Sequence, residues 1–476
     1  MSSIAGIQGC ATVFSACKAV CNRRLDIPMT PDTLKRYAGP VPRYTSYPTA
    51  PHFSEDVGAA VYRSWLSALA ENERVSLYLH IPYCDQLCWY CGCNTKATQK
   101  YEPVARYVDV LLREIELVAE VVGKKKLVAD HIHFGGGSPS ILVPDDILRI
   151  GEALKRLVEF APDMEFAVEV DPRSISDDKI AAFAKAGINR VSVGVQDFTP
   201  KVQVAINRMQ SFETTRDVIE GFRRHGVKSV NVDLVYGLPH QTRETVARTI
   251  EQVVELDPDR VALFGYAHLP QRLTHQRLIP SKALPDMTER FAQANRAANK
   301  LVQAGYVRVG LDHFARPGDR LAYGEVRRNF QGYTTDDAGI LIALGASAIG
   351  RLPQGYVQNA VAVADYQRQI EAGEFATRRG HALSAEDNVR SLVIERLMCS
   401  FHFPERELKE RFGDASAAVV EEARMLLNSE TDGLVEADPE GDGFRITEKG
   451  RLFVRSIASV FDSYLSAGAA QHSAGV

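Results

Sequence analysis

The sequence "YLHIPYCDQLCWYCGCN", from Tyr78 to Asn94, places four cysteines in one loop. The loop directly follows the β-rich stretch "VSLYLH" and has the spacing Cys84-x3-Cys88-x2-Cys91-x-Cys93. Structural zinc sites usually take two separated C-x2-C pairs, and no second pair of cysteines or histidines is evident in this chain. The spacings typical of ferredoxins also differ from this one. The loop therefore indicates a metal centre that is neither a zinc knuckle nor a ferredoxin cluster.

The bulk composition is that of an ordinary globular protein with two or three domains. Its 476 residues are 45% hydrophobic and 24% charged, and the formal net charge of -4 provides no broad basic surface for nucleic acid. No apolar run reaches the roughly 18 residues that cross a bilayer. The N-terminal stretch lacks the basic region of a signal peptide. We expect a cytoplasmic monomer that binds neither nucleic acid nor membrane.

Cysteine usage favours a reducing compartment. Of the eight cysteines, four lie in one loop, which is not the pattern of a secreted disulfide framework. Three more, Cys10, Cys17 and Cys21, have helical spacing near the N-terminus. Small apolar residues on one face of a weak helix explain these three better than a second metal site does.

From Val75 onward, short β-rich runs alternate with amphipathic helical stretches, which is the signature of βα units that build a parallel sheet. The predicted strands are "VSLYLH", "DHIHF", "FAVEV", "RVSVGV", "SVNVDLVY" and "RVALFGY". Six repeats favour a partial (β/α)6 barrel over a closed eightfold barrel. The predicted fold class is therefore α/β, with a C-terminal domain that is mainly helical.

Chemically distinctive residues follow each predicted strand. After the cysteine loop come, in strand order, "GGGSP", "EVDPR", "GVQDF", "DLVYGLP" and "YAHLP". Because the carboxyl ends of parallel strands form the active face of βα barrels, we expect these groups to converge on one cavity.

The chain divides into five predicted segments. The C-terminal segment reads as helices followed by a hairpin, and its winged-helix pattern would suit DNA binding, but its many acidic residues favour a small packing domain. The segments are a flexible extension (1–35), a leader that packs on the barrel (36–74), the barrel (75–305), an irregular linker that closes the active site (306–380) and the winged-helix-like domain (381–476).

Three cysteines in C-x3-C-x2-C after the first strand of a βα barrel resemble the radical S-adenosylmethionine (SAM) superfamily. In that superfamily three cysteines hold a [4Fe-4S] cluster, and the remaining iron binds SAM. The resemblance implies that Cys84, Cys88 and Cys91 are the ligands and that Cys93 is not. We expect Cys93 to lie beside the cluster or a SAM molecule and to shape that pocket.

A narrower resemblance covers nearly the whole chain from Pro42. The motifs "PRYTSYPTA", "HIPYC", "CGCN", "GGGSPS", "NVDLVYGLPHQT" and "RNFQGYTT" are similar to those of the oxygen-independent coproporphyrinogen III oxidases. That family converts two propionates of coproporphyrinogen III to vinyl groups through a 5′-deoxyadenosyl radical and consumes two SAM, giving protoporphyrinogen IX in haem biosynthesis. The resemblance implies a [4Fe-4S] cluster, two SAM molecules and an unidentified reductant protein.

The same resemblance implies a set of site residues. The substrate has four carboxylates, so cationic side chains should line part of the cavity, and Arg43, Arg316 and Arg328 are candidates. Supporting catalytic roles fall to Tyr78, His80, Cys93 and Gln331. The residues implied to bind SAM are Tyr78, Tyr90, Gly136, Gly137, Ser138, Glu169, Gln196, Arg208, Asp233, Ala267 and Ile349.

Two rival functions remain open at this level. Related proteins with the same barrel carry haem, but they lack the fourth cysteine, the "PRYTSYPT" leader and "RNFQGYTT", all of which are present here. A radical enzyme that opens the haem ring is the other possibility. Loss of haem absorbance under reduction with SAM would identify the latter.

Overall fold

The computed structural model describes residues 31–37 and 39–465. Cys10, Cys17, Cys21 and nearly all of the predicted N-terminal extension lie outside these residues. Within them, no helix combines the length and the apolar character needed to span a membrane.

Six parallel strands alternate with helices, as the sequence predicts. Residues Ser229–Tyr236 show why: Val230, Val232 and Leu234 are buried, whereas Asp233 points the other way, into a cavity. The strands are β1 (Arg74–Ile81), β2 (Val128–Gly136), β3 (Glu159–Val170), β4 (Arg190–Gln196), β5 (Ser229–Tyr236) and β6 (Arg260–Gly265). The helices are α1 (Glu102–Val122), α2 (Pro144–Leu157), α3 (Asp177–Ala186), α4 (Phe212–Arg224), α5 (Arg243–Glu255) and α6 (Met287–Gln303).

The strands pair in chain order from β1 to β6, all parallel, and this confirms the predicted α/β barrel core. The apolar faces of the helices and strands form one large core, which contains Leu77, Phe134, Val193 and Ile250. Right-handed βαβ crossovers bring all six carboxyl strand ends to one rim.

The segment 306–380 is not the irregular linker that the sequence suggested, because short strands of it join both edges of the sheet. Leu341–Leu344 pairs in parallel with β1, with Ser76 opposite Leu341. His313–Ala315 pairs antiparallel with β6. The strands here are β7 (Val307–Val309), β8 (His313–Ala315), β9 (Arg327–Asn329), β10 (Gly332–Thr334), β11 (Leu341–Leu344), β12 (Ile349–Leu352), β13 (Gly355–Asn359) and β14 (Thr377–Ala382).

The C-terminal residues form a second core with helices and a small antiparallel sheet. Its strands are β15 (His402–Phe403), β16 (Val435–Ala437) and β17 (Phe444–Ile446). The main helices are α7 (Ala385–Ser400), α8 (Glu405–Phe412), α9 (Ala417–Ser429) and α10 (Val454–Ala458). A mainly helical C-terminal domain is thus confirmed.

The leader differs from its expected packing. Its later half packs into the barrel core, through Tyr62 and Leu66 on the helix Ala59–Ser67. Its earlier half joins the C-terminal core instead: the Tyr44 hydroxyl donates to Asp462 Oδ2 at 3.0 Å. The leader therefore ties the two cores together.

Candidate active site

A cavity of about 610 Å³ opens at the carboxyl ends of the six barrel strands. The cysteine loop lies on one side of it, and all four loop cysteines line it. The residues that follow β2 to β6 complete the wall, so the expected convergence on one cavity is observed. In this cavity, the chain gathers groups that are far apart in its sequence.

Most of the predicted cofactor residues line this cavity. They are Tyr90, Gly136, Gly137, Ser138, Glu169, Gln196, Arg208, Asp233 and Ala267. Four of the residues predicted to bind SAM or to support catalysis are not among those that line it, namely Tyr78, His80, Gln331 and Ile349. Ile349 begins β12 beyond the β1 edge, and Gln331 lies in the turn between β9 and β10.

Tyr78 and His80 form a chain of hydrogen bonds that holds the end of the cysteine loop. His80 Nε2 lies 3.0 Å from the Asn94 carbonyl oxygen, and since a carbonyl only accepts, the imidazole donates there. Its Nδ1 therefore accepts from the Tyr78 hydroxyl at 3.0 Å. Burial lowers the pKa of His80, which keeps the ring neutral in this role.

Two glycines at the carboxyl end of β2 allow β1 and the start of the cysteine loop to pack closely against that strand. Gly136 has φ of +114°, and a Cβ there would lie 2.8 Å from the His80 ring. A Cβ on Gly137 would lie 2.5 Å from the Tyr83 carbonyl oxygen. The sequence suggests that the glycines make room for a ligand, but the structure shows that they make room for the His80 ring and for the backbone of Tyr83.

Two residues after β6, which the sequence did not single out, anchor the cysteine loop from the opposite side. His275 Nε2 donates to the Cys91 carbonyl at 2.7 Å, and the amide of Gln276 donates to the Tyr90 carbonyl at 3.1 Å. Gln276 is buried. The backbone N–H of Trp89 also donates to the Ile206 carbonyl at 2.9 Å. None of these bonds involves a thiol.

An ionic network surrounds the Cys88 thiol. Arg173 Nη2 lies 3.3 Å and Arg208 Nη1 3.5 Å from Cys88 Sγ. Both guanidinium groups also pair with Asp171 Oδ2, at 2.6 and 3.1 Å. Burial alone would raise the pKa of Asp171, but the two arginines bring it down to about 2. Asp171 and Arg173 belong to the quoted motif "EVDPR" but were not predicted as site residues.

The loop thiols suit a multi-iron cluster better than a single ion. Within the described residues, no three or more His, Cys, Asp or Glu side chains are grouped to hold one metal ion. Thiolates that bind separate irons of one cluster need not meet at a point. The backbone N–H of Cys93 donates to Cys91 Sγ at 3.4 Å, and the arginines reach Cys88. These donors would stabilise bound thiolates, so the residues fit a [4Fe-4S] cluster.

Burial acts against thiolate formation at Cys84. Burial raises the pKa of Cys84 to about 12, although the Thr95 hydroxyl lies 3.2 Å from its sulfur. The hydrogen bond with Cys93 lowers the pKa of Cys91 to about 7. A metal centre would deprotonate both thiols, so its binding releases protons.

Hydrogen-bond acceptors lie across the cavity from the thiols. Asp233 accepts from Ser192 and from Asn231, both at 2.8 Å, and burial raises the pKa of its carboxyl. Glu169 Oε1 is 2.9 Å from His133 Nε2. Such carboxylates can accept from an ammonium group or from ribose hydroxyls.

The three arginines predicted to bind substrate carboxylates lie in three different places. Arg316 is wrongly predicted: it lies at the amino end of the barrel, pairs with Asp257, and its guanidinium is 4.2 Å from the Tyr306 ring centroid. Arg43 lines the active-site cavity. Arg328 lines two neighbouring cavities instead.

Comparisons with known proteins cover most of the chain. Residues 78–253 match the Radical SAM superfamily, and residues 383–453 match the HemN C-terminal domain. The oxygen-independent coproporphyrinogen III oxidase of Bradyrhizobium diazoefficiens is 46% identical over 440 residues, covering 92% of this chain and 97% of that protein. Its namesake in Escherichia coli K12 is 39% identical over 440 residues, covering 91% and 94%. The solved structure of coproporphyrinogen III oxidase (HemN) from Escherichia coli, a radical SAM enzyme, matches with TM-score 0.86 and 37% identity, over 93% of this chain and 100% of that one.

Proposed function

This chain belongs to the family of oxygen-independent coproporphyrinogen III oxidases, and from that premise we propose that it converts coproporphyrinogen III to protoporphyrinogen IX. Two propionate side chains would each become a vinyl group. Each propionate would lose one hydrogen atom from its β-carbon and then carbon dioxide, and one further electron would pass to a separate electron acceptor. We propose that one SAM is consumed for each side chain, two for each product.

Cys84, Cys88 and Cys91 would hold the [4Fe-4S] cluster, and its fourth iron would bind SAM. When bound, the cluster and SAM supply the oxidant for the removal of the hydrogen atom. The protein's part is to bind, orient and exclude water. Arg173 and Arg208 place positive charge beside Cys88, where it would offset the negative charge of a bound thiolate cluster.

The walls of the cavity offer partners for the ends of SAM. Asp233 and Glu169 would accept from its ribose hydroxyls or its ammonium group, and Arg208 would pair with its carboxylate. Tyr90 stands beside the cluster ligand Cys91, where its ring can cover an adenine. Cys93 lines the cavity without being needed as a ligand.

One observation carries this proposal: the loop thiols after β1, Glu169 of β3, the buried Arg208 after β4 and Asp233 of β5 line one cavity of about 610 Å³. That volume lies within the range of about 300 to 1,000 Å³ that is typical of small-molecule sites. Arg43 adds a cation at the rim for a substrate with four carboxylates.

An anaerobic assay tests the proposal. The protein is reconstituted with iron and sulfide, then supplied with SAM, a strong reductant and coproporphyrinogen III, and the products are separated after oxidation to porphyrins. We expect porphyrins with one and then two vinyl groups, together with 5′-deoxyadenosine. Cleavage of SAM without a vinyl product would overturn the substrate assignment. Haem transfer without SAM turnover would instead favour the haem-carrying relatives.

A further inference from the structure

A second, smaller cavity lies directly behind the active-site wall. Its volume is about 70 Å³, and it shares Arg43, Phe264, Gly265 and Tyr266 with the active-site cavity. One ordered water needs about 10 to 15 Å³ of such space, so a cavity of this size can take a carboxylate group and a few waters but not a tetrapyrrole ring. The two cavities are thus neighbours with one common wall.

Five arginines line this small cavity, which we call the arginine pocket. Asp312 is the one carboxylate among its described lining residues. The cations come from the leader, α6, β7, β9 and α10, so both cores contribute. They are Arg43, Arg290, Arg308, Arg328 and Arg455.

Backbone carbonyls accept some of the hydrogen bonds that these arginines donate. A carbonyl has no formal charge, so these bonds do not neutralise the guanidinium groups. Arg43 donates to the Gly265 carbonyl at 3.3 Å, Arg290 to that of Tyr266 at 2.9 Å and Arg455 to that of Pro42 at 2.9 Å. Arg308 Nε and Arg328 Nη1 are buried with no hydrogen-bond partner among the described residues. The Arg328 side chain is only 5% exposed, and its nearest carboxylate oxygen, on Asp312, is 3.9 Å away.

Buried charges are costly unless an opposite charge lies close to them. Burial lowers the pKa of Arg455 to about 10 and also lowers the pKa of Arg308, whereas the pKa of Arg328 is raised despite its burial because Tyr333 and Asp312 lie beside it. Among the lining residues, five guanidinium groups stand against one carboxylate, and Arg308 and Arg328 each keep a buried N–H without a hydrogen-bond partner among the described residues. An anion of carboxylate size would supply the missing charge and accept from the two orphaned donors.

We infer that the arginine pocket is an anion subsite that takes one propionate carboxylate of the tetrapyrrole, and that this propionate is not the one that reacts in that turnover. This inference rests on the proposed function. The ring would lie in the active-site cavity, and one of its side chains would reach the arginine pocket beside Arg43, which lines both cavities. Such an anchor fixes the orientation of the ring and therefore which propionate faces the site of hydrogen removal.

Binding of two matched probes tests the subsite directly. Coproporphyrin III and its tetramethyl ester have the same ring, but only the acid can pair with arginine. Wild-type protein should prefer the acid. Arg308→Gln should weaken binding of the acid by about 10- to 100-fold, the range for a charged hydrogen bond, and leave the ester unchanged. Ala294→Leu, which fills the pocket without removing a cation, should have the same effect.

Arg316→Gln is the matched control, because that arginine lies at the opposite end of the barrel and should affect neither probe. SAM cleavage in the absence of substrate should be equal in all variants, which excludes damage to the cluster. If both pocket variants bind the acid and turn it over like wild type, the subsite is overturned and the proposed function stands. If wild type makes no vinyl product but the variants still lose their preference for the acid, the proposed function fails and the subsite stands.

Discussion

Buried arginines occur at both ends of the barrel, and their partners differ. At the amino end, Arg190 and Arg260 meet Glu165 and Asp319, two cations for two carboxylates, with Arg260 Nε 2.8 Å from Asp319 Oδ1. Behind the carboxyl end, five arginines face one carboxylate. The amino-end cluster balances its formal charges within the protein, whereas by our inference the arginine pocket takes its counter-charge from a ligand. Charge balance therefore separates a structural cluster from a candidate binding site.

The largest expected effect lies at the carboxyl end, where Cys88→Ala should abolish both the iron–sulfur absorbance and product formation. The free energy of unfolding of the iron-free protein should change by only about 1 kcal/mol, since one small side chain is removed. Anaerobic absorbance, product chromatography and thermal denaturation measure the three quantities. Unfolding of the variant at room temperature would show that this end is structural as well.

At the same end of the barrel, Cys93→Ser tests whether Cys93 binds the cluster or only shapes the cavity. Serine keeps the backbone N–H that donates to Cys91 Sγ at 3.4 Å, so the iron content should stay at the wild-type level while activity is lost. Iron analysis and the vinyl assay are the measurements, with Cys84→Ala as the metal-free reference. A variant without iron would make Cys93 a ligand.

At the amino end, Glu165→Gln should destabilise the fold by about 3 kcal/mol, because it leaves buried arginines short of one carboxylate. Activity at 25 °C should not change. The arginines bring the pKa of Glu165 to about 2 despite its burial. The stabilisation is therefore complete above the unfolded pKa of about 4.3 and is lost as pH falls towards about 2. Acid denaturation curves of wild type and variant should converge over this interval; parallel curves would contradict the prediction.

Asp312→Asn should have the smallest effect. It compares directly how the loss of one carboxylate in each arginine cluster changes the affinity for an anion. Removing the carboxylate of the arginine pocket removes repulsion of an incoming anion, so coproporphyrin III should bind about fivefold more tightly, roughly 1 kcal/mol. The equivalent loss at the amino end, in Glu165→Gln, should leave this affinity unchanged. Fluorescence titration of both variants measures the difference. Weaker binding by Asp312→Asn would mean that Asp312 serves to orient the arginines.

The barrel could be predicted because its signals are local. The stretch "SVNVDLVY" alternates apolar and polar residues, and β5 covers those same positions, Ser229–Tyr236. By contrast, β11 is a four-residue strand within a glycine-rich run, and its partner β1 lies more than 250 residues earlier in the chain. Four apolar residues carry no usable period, and pairing at that distance leaves no mark in a single sequence.

The active site shows the same difference between features with a local sequence signal and features that depend on distant residues. The cysteine spacing and the residues after each strand are readable, because parallel topology sends all of them to one rim. The anchoring roles of His275 and Gln276 were not readable, since a histidine and a glutamine in a loop have no pattern. Nor was the arginine pocket: Arg290 and Arg455 are ordinary helical arginines in sequence, and only the packing of one core on the other brings them together.

The bonds that hold the cysteine loop have a consequence for how the enzyme is assembled. His275, Gln276 and His80 bind backbone carbonyls of the loop, so its path is set by the folded barrel and not by iron. Zinc fingers are the opposite case, because there the metal drives folding. We therefore expect the polypeptide to fold before it binds its iron–sulfur cluster. A cell short of iron would then accumulate folded, inactive protein.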